Sequence, residues 1–216
     1  MSDDLIGAID QFEQILPART ARGARRRDGL LPAERFLRGA RLALTAEQLA
    51  GSTWSRMDEA EETGTIRAAL WRQALLISAV EQMHRAVGGK PFPVEVPARW
   101  VEVNKDGVFI PRHAGEKPKH VPAALGDLGV DGARHAPIRY YLSGMTPQTL
   151  WDTLRLGAGV RHAVAHGSLS PTHARSWKLE AALPALFAAN VLWVVRLLAW
   201  GRKHYGAEAA DRDALA

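Results

Sequence analysis

Residues 183–200 read LPALFAANVLWVVRLLAW, and the environment of this stretch decides the fold. It is apolar nearly all round, which suits either the central helix of a bundle or a bilayer span. Asn190 and Arg196 sit inside it and Pro184 stands near its start. An arginine at mid-membrane costs a few kcal/mol at the least. The stretch therefore reads as a buried bundle helix, from about Pro184 to His204, in a protein with no membrane span.

The rest of the chain supplies helices to surround it. Leu5, Ile9, Phe12 and Leu16 recur at helical spacing over residues 2–16, with Ser2 or Asp3 as cap and Pro17 at the end. Residues 31–50 resume the pattern through Leu37, Leu42, Leu44 and Leu49. A long helix is expected from Thr65 to Val87, with Ile66, Leu70, Leu76, Ile77, Val80 and Met83 on or near one stripe, ended by Gly88-Gly89. Thr146-Pro147 has the order of a cap followed by a first helical proline, and so does Ser170-Pro171. The helix from 147 carries Leu150, Trp151, Leu154 and Val160 and ends near His166-Gly167.

Residues 88–145 break this regularity. They contain seven prolines and many glycines without a sustained helical period. Arg99–Val103 and Val108–Arg112 flank a turn that ends in Asp106-Gly107, which predicts a small β-hairpin. The stretch is too short and too poor in apolar residues for its own core, so it reads as an insertion between helices. The expected organisation is an N-terminal part (1–60), a helical bundle (61–206) with the insertion at 88–145, and a frayed tail (207–216). The class is all-α.

Composition narrows the chemistry. The chain has 216 residues, 47% of them hydrophobic and 24% charged, enough apolar material for a core. It has no cysteine, which excludes disulfides, thiolate metal sites and cysteine nucleophiles. A start as acidic as Met1-Ser2-Asp3-Asp4 is unlike a secretory signal, and the two features together point to the cytoplasm. The net charge of +5 favours an anionic partner, nucleic acid above all. Five arginines (19, 22, 25, 26 and 27) crowd residues 17–29. That connector is either a solvated loop or a phosphate-contacting arm in which Arg25, Arg26 and Arg27 bind RNA.

The densest cluster of reactive side chains is Arg161-His162-Ala163-Val164-Ala165-His166-Gly167. It lies at a helix end, where the dipole suits cationic side chains. Arg161 and His166 are five residues apart, about 140° round an ideal helix. The residues alone fit a plain helix C-terminus, a phosphate site, or a metal site formed by His162 and His166 with His173. No neighbouring carboxylate completes the metal set, and no metal or other cofactor is expected. Glu81, on an apolar helix stripe, calls for an arginine partner if buried, Arg161 or another. The other histidines are scattered, and the seven tryptophans read mainly as core anchors, Trp54 and Trp177 being able to stack a base instead.

RHAVAH resembles the R-x4-H motif of the HEPN superfamily, helical-bundle domains common among prokaryotic RNases and defence systems. His162 follows the arginine where that family has Asn, Asp or His, and Gly167 follows the last histidine. Ser78-Ala79-Val80-Glu81 resembles the Ser-Ala-x-Glu stretch of an early helix. The likeness covers the helices at 65–87 and 146–204. Ser168 departs from the Tyr that one subgroup carries two residues after the motif histidine.

The resemblance implies a HEPN-like bundle and a metal-independent endoribonuclease, a toxin or a defence effector. Arg161 would hold the phosphate, His166 would act as base or acid, and His162 would position the other two or hydrogen-bond the backbone. One well-placed acid–base residue per chain, together with the resemblance, implies a homodimer. An antitoxin or regulatory protein would be a further partner. The alternative is a catalytically silent module of the same fold that binds RNA or nucleotide or adapts one protein to another.

Overall fold

The computed structural model describes residues 2–16, 32–49, 61–89, 92, 95–104, 110–111 and 132–213, with backbone alone at 2, 132–135 and 207–213. Among them are seven α-helices and one short 3-10 helix, and no strand. In order these are α1 (Ser2–Glu13), α2 (Pro32–Gln48), α3 (Glu61–Ala86), the 3-10 helix Ala98–Trp100, α4 (Gly132–Leu142), α5 (Leu150–Ala165), α6 (Pro171–Ser176) and α7 (Leu183–Asp213). The all-α class stands.

Two long helices organise the bundle. α3 packs against α2, α5, α6 and α7, and α7 packs against α1, α2, α3 and α5. Leu183–Gly206 is long and apolar enough to cross a membrane, but Val191, Trp193, Val194 and Leu197 are fully buried against these neighbours. The two polar residues inside the stretch have protein surroundings. Asn190 is fully buried beside Gly157 of α5, and Arg196 donates to the Val103 carbonyl at 3.3 Å. The helix also continues to Asp213, past the expected end at His204, so the backbone of 207–213 is helical.

α2 brings Phe36, Ala40 and Ala43 inward at helical spacing. Gly39 lies on the same side and lets α3 come close. A Cβ there would sit 2.6 Å from Met83 Cγ and 2.8 Å from the Ala79 carbonyl oxygen. Phe12, Phe36 and Tyr205 then join α1, α2 and α7 in one aromatic cluster, with ring centroids 5.3 to 5.9 Å apart.

The insertion departs from the expected hairpin. Arg99 and Trp100 belong to the 3-10 helix and Val101–Asn104 to a turn, so the first expected strand is absent. Residues 105–109 lie outside the described residues. The reason is tertiary. Trp100 is fully buried and stacks on His84, and Asn104 Oδ1 accepts the Trp151 N–H at 2.8 Å. These contacts need a compact turn and not an extended strand. α4 was also unexpected, because Pro137 stands within it. Burial of Ile138, Tyr141 and Leu142, with α4 packed on α5, outweighs that local preference. The Tyr141 hydroxyl donates to the Pro111 carbonyl at 2.8 Å, and burial raises its pKa. Tyr140 is exposed.

α5 starts three residues later than Thr146-Pro147 suggests. Thr149 is the N-cap, and Asp152 completes a capping box with it. The Thr149 side chain accepts the Asp152 N–H at 3.1 Å, while the Asp152 carboxylate accepts the Thr149 N–H at 3.1 Å. Thr146 has no acidic residue three positions later, since that place holds Thr149. Ser170 caps α6 as expected, with Pro171 as its first residue.

His84 is the most unusual buried group. It is fully buried among Trp100, Trp151, Phe92 and Trp193, and Trp193 Nε1 donates to its Nε2 at 3.3 Å. Burial pushes its pKa from 6.5 down to about 3, with a smaller contribution from the Arg99 charge.

Two predictions follow from the packing. Gly39→Ala gains helix propensity of about 1 kcal/mol, but its methyl group meets a backbone oxygen that cannot step aside. We expect a net loss of about 1 kcal/mol or more, read as a lower Tm; an unchanged or raised Tm would contradict the close approach. For His84, the unfolded chain binds a proton near pH 6.5 that the fold excludes down to about 3. Stability should therefore fall as pH drops through that window, by up to about 1.4 kcal/mol per pH unit. His84→Gln should flatten the slope by about one proton in denaturant titrations, and equal slopes would rule out a neutral buried His84.

Candidate functional site

The site is the C-terminal end of α5 together with the facing part of α3. Gly167 ends α5 in the left-handed region at φ +72, which glycine adopts without strain. Its N–H donates to the Val164 carbonyl at 3.1 Å. The Leu169 N–H and the Ser168 hydroxyl both donate to the Ala163 carbonyl at 3.0 Å. Ser168, which stands where one HEPN subgroup has Tyr, is thus buried and holds the helix end.

His162 and His166 come together as their four-residue spacing dictates. Their ring centroids are 4.3 Å apart, edge to face. His162 is 5% exposed, whereas His166, the C-cap residue, faces solvent. One imidazole can meet a ligand, and the other supports it from below.

Arg161 turns to α3. Its Nη2 lies 3.6 Å from Glu81 Oε2. Glu81 is thus paired with Arg161, one of the arginines expected to partner it. It is also 4.0 Å from Arg85 Nη2 on its own helix. Sequence reasoning missed Arg85, although the Glu81–Arg85 spacing of four was a signal. Arg161, His162 and His166 therefore share the last turns of α5, but the contact that holds the Arg161 guanidinium is on α3.

The surroundings are structural. His173 stacks on Trp177 with centroids 5.3 Å apart, and its Nδ1 is 3.1 Å from the Ser168 carbonyl oxygen. Trp177 is buried, a core residue and not an exposed stacking platform. Arg175 of α6 pairs with Glu62 at 2.8 Å, tying the segment after the motif to the start of α3. No group of three or more His, Asp or Glu placed to hold a metal occurs among the described residues. Arg25, Arg26 and Arg27, with the rest of the basic connector, and Trp54 lie outside the described residues.

A large apolar groove of about 820 Å³ lies elsewhere, between α1 and α7, lined by Gly7, Ala8, Leu192, Val195 and Ala199 among others. None of its lining residues comes from α5 or α6.

Compared with protein-family models, with curated proteins and with solved structures, the chain matches none.

Proposed function

We propose that the chain is a metal-independent endoribonuclease whose site is Arg161, His162 and His166. The observation that carries this reading is the 4.3 Å contact between a solvent-facing His166 and a buried His162, on the turn next to Arg161.

RNA cleavage of this kind needs few parts. A base takes the proton of a ribose 2′-hydroxyl, whose oxygen attacks the adjacent phosphorus. An acid gives a proton to the departing 5′-oxygen, and a fixed cation stabilises the charge on the phosphate. The products are a 2′,3′-cyclic phosphate and a free 5′-hydroxyl. Imidazole suits proton transfer near neutral pH, and guanidinium suits phosphate. His166 is placed to reach substrate. His162, packed beneath it, is a positioning residue that fixes the His166 ring.

The burial of His162 bears on the second proton transfer. With one exposed imidazole at the end of α5, a second acid–base group has to come from elsewhere. The reading therefore includes a homodimer, in which a second copy brings its own His166 to the same phosphate. A toxin or defence effector, restrained by an antitoxin or regulatory protein in the cytoplasm, is the setting this activity fits.

One observation favours a second reading. Arg161 already has a carboxylate partner in Glu81, as a purely structural arginine would. A silent RNA-binding module of the same fold would show that pairing too.

Incubation with total RNA in EDTA separates the two. An enzyme yields defined fragments ending in 2′,3′-cyclic phosphate. Arg161→Ala and His166→Ala should each lower the rate by about a hundredfold or more while circular dichroism stays unchanged. Intact RNA with retained binding would leave the silent module, and full activity in either variant would remove these residues from the chemistry.

A further inference from the structure

Glu81 stands between two arginines. Its Oε2 is 3.6 Å from Arg161 Nη2 and 4.0 Å from Arg85 Nη2. The side chains are 15% exposed for Glu81, 33% for Arg161 and 67% for Arg85. One carboxylate, largely withdrawn from water, therefore faces a guanidinium from each of two helices, α3 and α5. Both separations exceed the 2.7–2.9 Å usual for a charge-assisted hydrogen bond. Glu81 neutralises the arginines without gripping either in a bidentate fork.

A phosphodiester matches what Glu81 offers. It carries one negative charge shared by two non-bridging oxygens, as a carboxylate does, and its geometry suits paired donors from arginine. The triad carries a net +1 when free, from two arginines and one glutamate. It is neutral with one phosphodiester bound.

We infer that Arg161, Glu81 and Arg85 form a phosphodiester-binding site in which Glu81 is a built-in competitor. An incoming backbone phosphate displaces the Glu81 carboxylate, and Arg85 becomes a second phosphate ligand beside Arg161. The exchange releases Arg161 from α3. The naming of an RNA backbone as the ligand rests on the endoribonuclease reading, while the anion exchange rests on the triad alone. Arg85 follows Glu81 by one turn of α3, so the two arginines would reach the phosphate from different helices.

The test uses binding without cleavage. A short 2′-O-methyl oligoribonucleotide carries the backbone phosphates but has no 2′-hydroxyl to attack. Its Kd is measured by fluorescence anisotropy over a range of salt. Glu81→Gln should tighten binding by about threefold to tenfold, because a competitor has gone. Arg85→Gln should loosen it to a similar degree and flatten the salt slope by about 0.7, the loss of one phosphate contact on a single strand. In the Arg85→Gln, Arg161→Gln background, Glu81→Gln should have no effect. Asp10→Asn, an exposed carboxylate on α1, should leave Kd unchanged. The inference is overturned if Glu81→Gln loosens binding or leaves it unaltered, if Asp10→Asn tightens it equally, or if Arg85→Gln does nothing. Should Glu81→Gln lose its helical circular-dichroism signal, the exposed Arg85 decides the matter alone. RNA cleavage is assayed separately. Wild-type protein that shows these shifts and never cuts RNA would overturn the nuclease reading and keep the anion site.

Discussion

The burial of α3 on nearly every side is the constraint from which the rest of the structure follows. Four helices pack on it, and Leu76, Ile77, Ala79, Val80 and Met83 are fully buried. Each large apolar side chain so buried contributes roughly 1.5–3 kcal/mol, which secures the helix but leaves its polar residues to be accommodated. Gln73 of α3 and Asn190 of α7 flank Gly157 of α5, where a Cβ would lie within 2.6 Å of both amide nitrogens, and neither amide has a hydrogen-bond partner among the described residues. His84 accepts from Trp193 and is boxed by aromatic rings. Glu81 pairs with Arg161. Each of these contacts ties α3 to α5 or α7, so the polar residues of the central helix choose the neighbours that the apolar ones then pack.

The candidate site inherits its shape from that choice. Arg161 is drawn toward α3 because Glu81 is largely shielded from water and a shielded carboxylate needs a cation. His162 turns into the core, and His166 is left at the surface because Gly167 stops the helix one residue later. The same helix end thus presents one imidazole to solvent and one to the interior. This division follows from where the helix stops relative to its own turn, not from any difference between the two side chains.

Much of this was legible in the residues. The apolar run at 183–200 is a helix packed in the bundle, as its all-round apolar pattern led one to expect, with Asn190 against Gly157 and Arg196 on the Val103 carbonyl. The stripe on α3 and the pairing of Glu81 with Arg161 were legible from helical spacing and the cost of burying a charge. What was not legible depended on distant partners. Arg99–Val103 alternate as a strand would, but Trp100 is taken up by His84 and Asn104 by the start of α5, contacts made with residues far along the chain. α4 carries an internal proline, and only its packing on α5 shows why it is helical. The start of α5 was misplaced for a local reason. Two threonines compete for the cap, and the one with an acidic residue three positions later wins.

That capping choice matters beyond α5's first turn. α5 is held at its start by the Thr149–Asp152 box and by Asn104, which accepts the Trp151 N–H from the insertion. It is held at its finish by the Gly167 turn and the Ser168 hydroxyl. Between these anchors the rotation of a helix is set, so the directions of residues 161, 162 and 166 are set with it. A helix begun at Thr146 instead would have had no acidic partner for its cap and no side chain from the insertion on its second residue. The insertion thus bears on the motif through the far end of the helix that carries it. Asn104 fills one of the free N–H groups that every helix start leaves open, and in doing so it fixes one boundary of the segment on which Arg161 and the two histidines are mounted.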